Sequence, residues 1–240
     1  MQFIRPFCDE RQSTWCLHCT TSLSEVRTNK DHVPSKCFLK KPYPENLPTV
    51  EICAECNNGF SADENYFACV IHAVLAGSLS PDPQHHPEAA KILRHNQGIA
   101  RRLNTQSEQV DLFPHELPFT VYPDYKRIER VLVKNAKGHA FYEYGEPMLE
   151  SPSTVEVFPI HQLSADNRAR FESSEDVGDL SAWPEVGSRM MDRVMTGRDM
   201  LGEWIVVEDG IYRYAVDQAG GLRVRMVIRD YLGAQIQWFH

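Results

Sequence analysis

Two Cys-x-x-Cys pairs, "CLHC" from Cys16 to Cys19 and "CAEC" from Cys53 to Cys56, constrain this chain more than any other feature. Four thiolates in two knuckles suit one tetrahedral zinc ion at about 2.3 Å per sulfur. The interval between the pairs exceeds the spacing of a simple zinc ribbon, so something folded must occupy it. Binding such an ion contributes on the order of 10 kcal/mol to folding a small site, enough to hold a loop that packing alone would not. The ion is therefore read as a structural staple. His18 and Cys37 are the alternative ligands, and a redox role is the alternative for either pair taken alone. Cys8 and Cys69 read as ordinary thiols, Cys69 lying close to the apolar line of a helix. Seven cysteines, an odd number, fit metal thiolates in a reducing compartment better than a secreted disulfide scaffold.

The bulk numbers set wide limits. A chain of 240 residues with 42% hydrophobic content can bury an ordinary core as one large domain or two small ones. No apolar run approaches the ~18 residues of a membrane span. The start "MQFIRPFCDERQ" has an acid and a proline where a signal peptide needs its apolar centre. The expectation is a soluble cytoplasmic protein with no membrane partner. The net charge of −8 speaks against a broad nucleic-acid surface. The charge is unevenly spread, however: acids crowd the segment after Gly138, while residues 91–137 are net basic.

Organisation follows from periodicity. "NNGF" reads as a turn, and "SADENYFACVIHAVLAG" as a helix opened by a Ser61/Glu64 capping box and stopped at Gly77. A second amphipathic helix is expected over residues 88–103, with Lys91, Arg94, Arg101 and Arg102 off its apolar line. The stretch "NTQSEQVDLFPHELPF" reads as a linker, and a further helix over residues 124–137 as closed by Gly138. Four runs, "EWIVVE", "IYRYAV", "LRVRMVI" and "AQIQWF", predict an antiparallel meander whose Arg223, Arg225 and Arg229 share a solvated face. The expected fold class is α+β. It divides into a zinc-stapled module over 1–78, a helical connector and linker over 79–118, and a C-terminal domain of helices and antiparallel sheet, of unknown role, over 119–240.

Within and just after the cysteine interval stand "DH" at Asp31 and His32, "ENL" at Asn46, and "CAECNN", which places Asn57 directly after the second knuckle. In this order, with the knuckles, residues 14–77 resemble the HNH endonucleases, the ββα-metal nucleases with zinc knuckles. The resemblance implies that His32 is the general base, that Asp31 and Asn57 hold a catalytic divalent ion, and that Asn46 steadies the loop orienting His32. It also implies cleavage of DNA phosphodiesters to 5'-phosphate and 3'-hydroxyl ends. Oxygen donors from an acid and an amide favour magnesium or manganese. An activated water and a positive centre are what phosphodiester hydrolysis requires. Where the family name has a histidine, this chain has Asn57, and Asp63 and Glu64 follow where lysine or glycine is usual.

Each landmark also has a plain reading. Asp31 can form a polar turn, Asn57-Asn58-Gly59 a bare turn, and Asn46 a loop cap. Adjacent strand residues face opposite sides, so Asp31 and His32 address one phosphate only if the strand ends or twists there, as Pro34 allows. The expected activity is metal-dependent endonucleolytic hydrolysis, with Lys36, Arg94, Arg101 and Arg102 as candidate nucleic-acid contacts. The alternative is a non-catalytic zinc module, built on the same frame, that binds nucleic acid or protein.

Overall fold

The computed structural model describes residues 1–4, 13–82, 84, 87–105, 107–108, 120–173, 183–218 and 220–239. The chain divides into two compact units, one of Met1–Asn57 with Leu132–His240, the other of Asn58–Val131. Six α-helices and an antiparallel sheet among the described residues make it a mixed α+β protein.

In the first unit, β1 (Thr28–His32) pairs antiparallel with β2 (Thr49–Cys53), in a register that sets Asp31 opposite Val50 and His32 opposite Thr49. Helix α1 (Ala54–Ala76) follows β2 without a loop. It therefore begins inside the second knuckle, and Asn57, Asn58 and Gly59 are helical rather than a turn. Cys16, Leu17, Val33, Val50, Ile52 and Cys53 form one buried cluster, with Phe141 and Tyr142 packed against it.

Those two aromatic residues belong to α4 (Tyr125–Tyr144), which does not stop at Gly138 but runs through it. The reason is packing. A Cβ at position 138 would lie 2.6 Å from Val33 Cγ2, so only glycine lets the helix approach the hairpin this closely.

The second unit holds α2 (Pro87–His95), α3 (Gln97–Thr105) and the short pair β3 (Ser107–Glu108) and β4 (Thr120–Val121). The single helix expected over 88–103 is two, broken at Asn96, whose Oδ1 accepts the N–H of Ile99 at 3.1 Å and caps the second. Asp63 of α1 is gripped by Arg127 and by Arg130, the latter at 2.7 Å, and Tyr66 Oη accepts the Asp124 N–H at 2.7 Å.

The remaining elements of the first unit are β5 (Thr154–Pro159), α5 (Ala165–Glu172), α6 (Arg189–Thr196), β6 (Met200–Leu201), β7 (Trp204–Glu208), β8 (Tyr212–Gln218), β9 (Gly221–Ile228) and β10 (Leu232–Phe239). The sheet order is β5-β10-β9-β8-β7-β6, so the expected meander gains an edge strand on each side. Its register puts Tyr212, Tyr214, Val224, Met226 and Ile236 on one face.

Against that face α4 lays a polar ladder. His139 Nε2 meets the Tyr212 hydroxyl at 3.0 Å, and its ring stacks on Tyr214 with centroids 3.7 Å apart. The Tyr214 hydroxyl donates to Glu143 Oε1 at 2.6 Å, and Arg193 Nε of α6 donates to Glu143 Oε2 at 2.9 Å. The opposite face carries Arg213, Arg223 and Arg225, and it is not solvated as expected. Trp204, Phe171 and α5 cover it, leaving Arg225 fully buried and Arg223 nearly so. Arg229 stands apart from that face, in the turn after β9, with its Nη2 donating to Phe38 O at 3.1 Å.

Candidate functional site

The two knuckles are built differently. In the first, the Thr20 N–H returns to Cys16 O at 2.9 Å and the Cys16 N–H reaches Thr21 O at 2.9 Å, with Thr20 at a φ of 62°. This tight turn points Cys16 and Cys19 the same way. In the second, Cys53 ends β2, Cys56 lies in the opening turn of α1, and the Cys56 N–H donates to Cys53 Sγ at 3.3 Å.

Together the knuckles bring all four sulfurs within 4.8 Å of one another, Cys19 and Cys53 being 3.6 Å apart. Sulfurs about 2.3 Å from a tetrahedral zinc stand about 3.8 Å from each other, so the set fits that ion in donor type and size. None of the four is in a disulfide. Hydrogen bonding between Cys19 and the Thr21 side chain draws the Cys19 thiol down to about 6, while burial pushes Cys53 and Cys56 up. Holding all four as thiolates would be the work of a bound metal, whose binding would release protons. Cys37, half-buried, and His18 lie outside the cluster; Cys8 lies outside the described residues.

The hydrolytic candidates are placed unevenly. Asp31 and His32 end β1 on opposite sides, as strand geometry requires: Asp31 is buried, 6% exposed, and His32 is half-buried. Asp31 Oδ1 accepts Lys134 Nζ of α4 at 2.8 Å, and the same ammonium donates to Ser35 Oγ at 3.0 Å. Asn135 completes the group, its Oδ1 accepting the Ser35 N–H at 2.8 Å. Burial, then the charges of Lys36 and Lys134, hold His32 below its usual value, which favours the neutral imidazole. Asn57 is half-buried in the opening turn of α1. Asn46 sits in an exposed turn at a φ of 55°, and its Nδ2 donates to Met1 O at 3.2 Å.

The four candidate nucleic-acid contacts are divided between the units. Lys36 stands 5.1 Å from the Tyr43 ring centroid in the first. In the second, Arg94 pairs with Asp82 at 3.2 Å, Arg102 stands 4.0 Å from Asp124, and Arg101 is exposed. Asp63, which follows the third landmark, is taken by two guanidinium groups.

Sequence reasoning missed Lys134, Ser35 and Asn135. A signal existed: Ile128, Val131, Leu132, Asn135, Ala136, His139, Ala140 and Glu143 recur at helical spacing and are all buried, so the apolar face of α4 carries polar side chains that need partners. No family model matches the chain, and no curated protein or solved structure is similar enough to match it. No helix among the described residues is long and apolar enough to cross a membrane.

Proposed function

We propose that residues 14–77, completed by α4, act as a zinc-stapled ββα nuclease of the HNH kind that hydrolyses DNA phosphodiesters. One observation carries the reading. An antiparallel hairpin runs straight into a helix at a four-cysteine cluster, with His32 at the hairpin's end and Asn57 in the helix's opening turn. His32, kept neutral by burial and two lysines, takes the proton of the attacking water. Asp31 and Asn57 offer the oxygen donors that magnesium or manganese prefers. The hydrogen bond from Lys134 to Asp31 is of the kind that orients a ligating carboxylate. Such an ion would supply charge stabilisation at the phosphate.

A plasmid-nicking assay on zinc-loaded protein, with magnesium present or withheld, tests the proposal. His32→Ala should slow nicking by roughly 10² to 10⁴ while zinc content is unchanged. Undiminished cleavage by that variant removes the assignment.

A second reading, a zinc-bearing interaction module that binds nucleic acid or protein without chemistry, draws on the Lys134–Asp31 pair. That pair already balances the carboxylate and gives it a structural task. Under this reading magnesium and manganese leave the plasmid intact, and manganese does not broaden the NMR signals of His32.

A further inference from the structure

Away from the hairpin, β5, β9, β10 and α5 form a recess of about 420 Å³ on the sheet face opposite α4. Its volume falls in the range of about 300–1,000 Å³ usual for small-molecule sites. Phe158, Leu163 and Phe171 make its apolar wall, the two rings meeting edge to face with centroids 5.0 Å apart. Glycine at 233 fixes that wall, since a Cβ there would lie 2.5 Å from Phe158 Cε2.

The charged residues lining the recess are Arg170, Arg223 and Glu156. Glu156 already accepts a hydrogen bond from Gln235 at 3.2 Å. Arg223 is held from behind. Its Nε donates to Asp217 Oδ1 at 2.8 Å, and the other oxygen of Asp217 takes Arg225 at 3.3 Å, so one carboxylate serves two guanidinium groups. With its side chain 9% exposed, Arg223 keeps Nη2 buried without an acceptor among the described residues. A buried donor of a charged group is costly to leave unmet, and a small shift of the side chain toward the recess would let a ligand oxygen meet it. Arg170, on the exposed side of α5, donates to Asn167 Oδ1 at 2.6 Å within the same lining.

We infer that this recess binds a small oxyanion carried on a planar apolar body, an aromatic carboxylate or an aryl phosphate. The oxyanion is met by Arg223 and Arg170, and the ring lies against Phe158 and Phe171. The inference is independent of the hydrolytic reading.

Phenylacetate, phenyl phosphate and inorganic phosphate, titrated into the zinc-loaded full chain by calorimetry, test it. Either aryl anion should bind in the millimolar range or tighter, and the one preferred identifies the oxyanion. Arg223→Gln and Arg170→Gln should each weaken binding about tenfold or more. Glu156→Gln should tighten it a few-fold by removing a like charge. Should Arg223→Gln fail to fold once Asp217 loses a partner, the two variants at the exposed rim decide the matter. No binding of either aryl anion at about 20 mM overturns the proposal. So does binding unaltered by Arg170→Gln and Glu156→Gln, or inorganic phosphate binding as tightly as phenyl phosphate.

Discussion

Replacing Lys134 by methionine should cost the protein far more than the loss of one surface lysine would. The substitution keeps an unbranched stem but removes the ammonium that lies 2.8 Å from Asp31, in a place where the two side chains are 1% and 8% exposed. The carboxylate loses its nearest cation there, and breaking a buried pair from one side costs about 3 to 5 kcal/mol. For a chain of this length that corresponds to about 6 to 20 °C in Tm, read on the transition of the unit containing the sheet. The penalty should shrink as pH is lowered, because a buried carboxylate that has lost its cation escapes the cost by taking a proton. Restoring balance from the other side should recover most of the loss, so Asp31→Leu combined with Lys134→Met should be more stable than Lys134→Met alone. Urea unfolding of the four proteins at pH 7.5 and pH 5, with zinc retained, gives the cycle. A Lys134→Met variant within about 1 kcal/mol of the parent at both pH values would refute the reasoning.

Other expectations concern the staple, the close approach and the core histidine. Cys53→Ser should abolish stoichiometric zinc by metal analysis and unfold the hairpin, visible as lost amide protection over β1 and β2, since site formation and folding are coupled. Gly138→Ala, which in an exposed helix would stabilise by about 1 kcal/mol, should here be neutral or destabilising by up to about 2 kcal/mol, because Val33 must give way. A measured gain would mean that α4 and the hairpin are not in contact. His139 is fully buried, and burial, then Arg193 and Lys134, hold its folded value well below 6.5. The unfolded chain therefore binds a proton that the folded chain refuses below about pH 6.5, and stability falls as pH drops, by up to about 1.4 kcal/mol per pH unit. His139→Gln should flatten that slope by about one proton when unfolding is compared at pH 7.5 and 5.5.

Elements marked by local chemistry could be read from the sequence; those set by distant packing could not. The four cysteines declared themselves by type and spacing, and the meander by alternation and turns, because both are written in neighbouring residues. In the sequence, Gly138 and the Asn57-Asn58-Gly59 run have the look of breaks. A propensity argument cannot see Val33 lying across the helix at one, nor the knuckle that already starts α1 at the other. The split at Asn96 turns on a side-chain cap that the apolar line masks. Alternation alone puts the arginine face in water, yet Trp204 and α5 close over it. A strand pattern shows which residues share a side but not what covers that side. Of the hydrolytic candidates, the sequence ordered Asp31, His32, Asn46 and Asn57. It gave no means of pairing Asp31 with a lysine on α4.

The pair that holds Asp31 joins residues 103 positions apart. At about 5 to 20 residues per second, a ribosome delivers Lys134 some 5 to 20 s after Asp31 has been made. During that wait the nascent hairpin can gather its thiolates, but it carries an unanswered acid and an uncovered Val33. Synthesis thus imposes an order of contacts: the hairpin and its four cysteines first, the helix second, and a paired carboxylate only when the later half of the protein arrives.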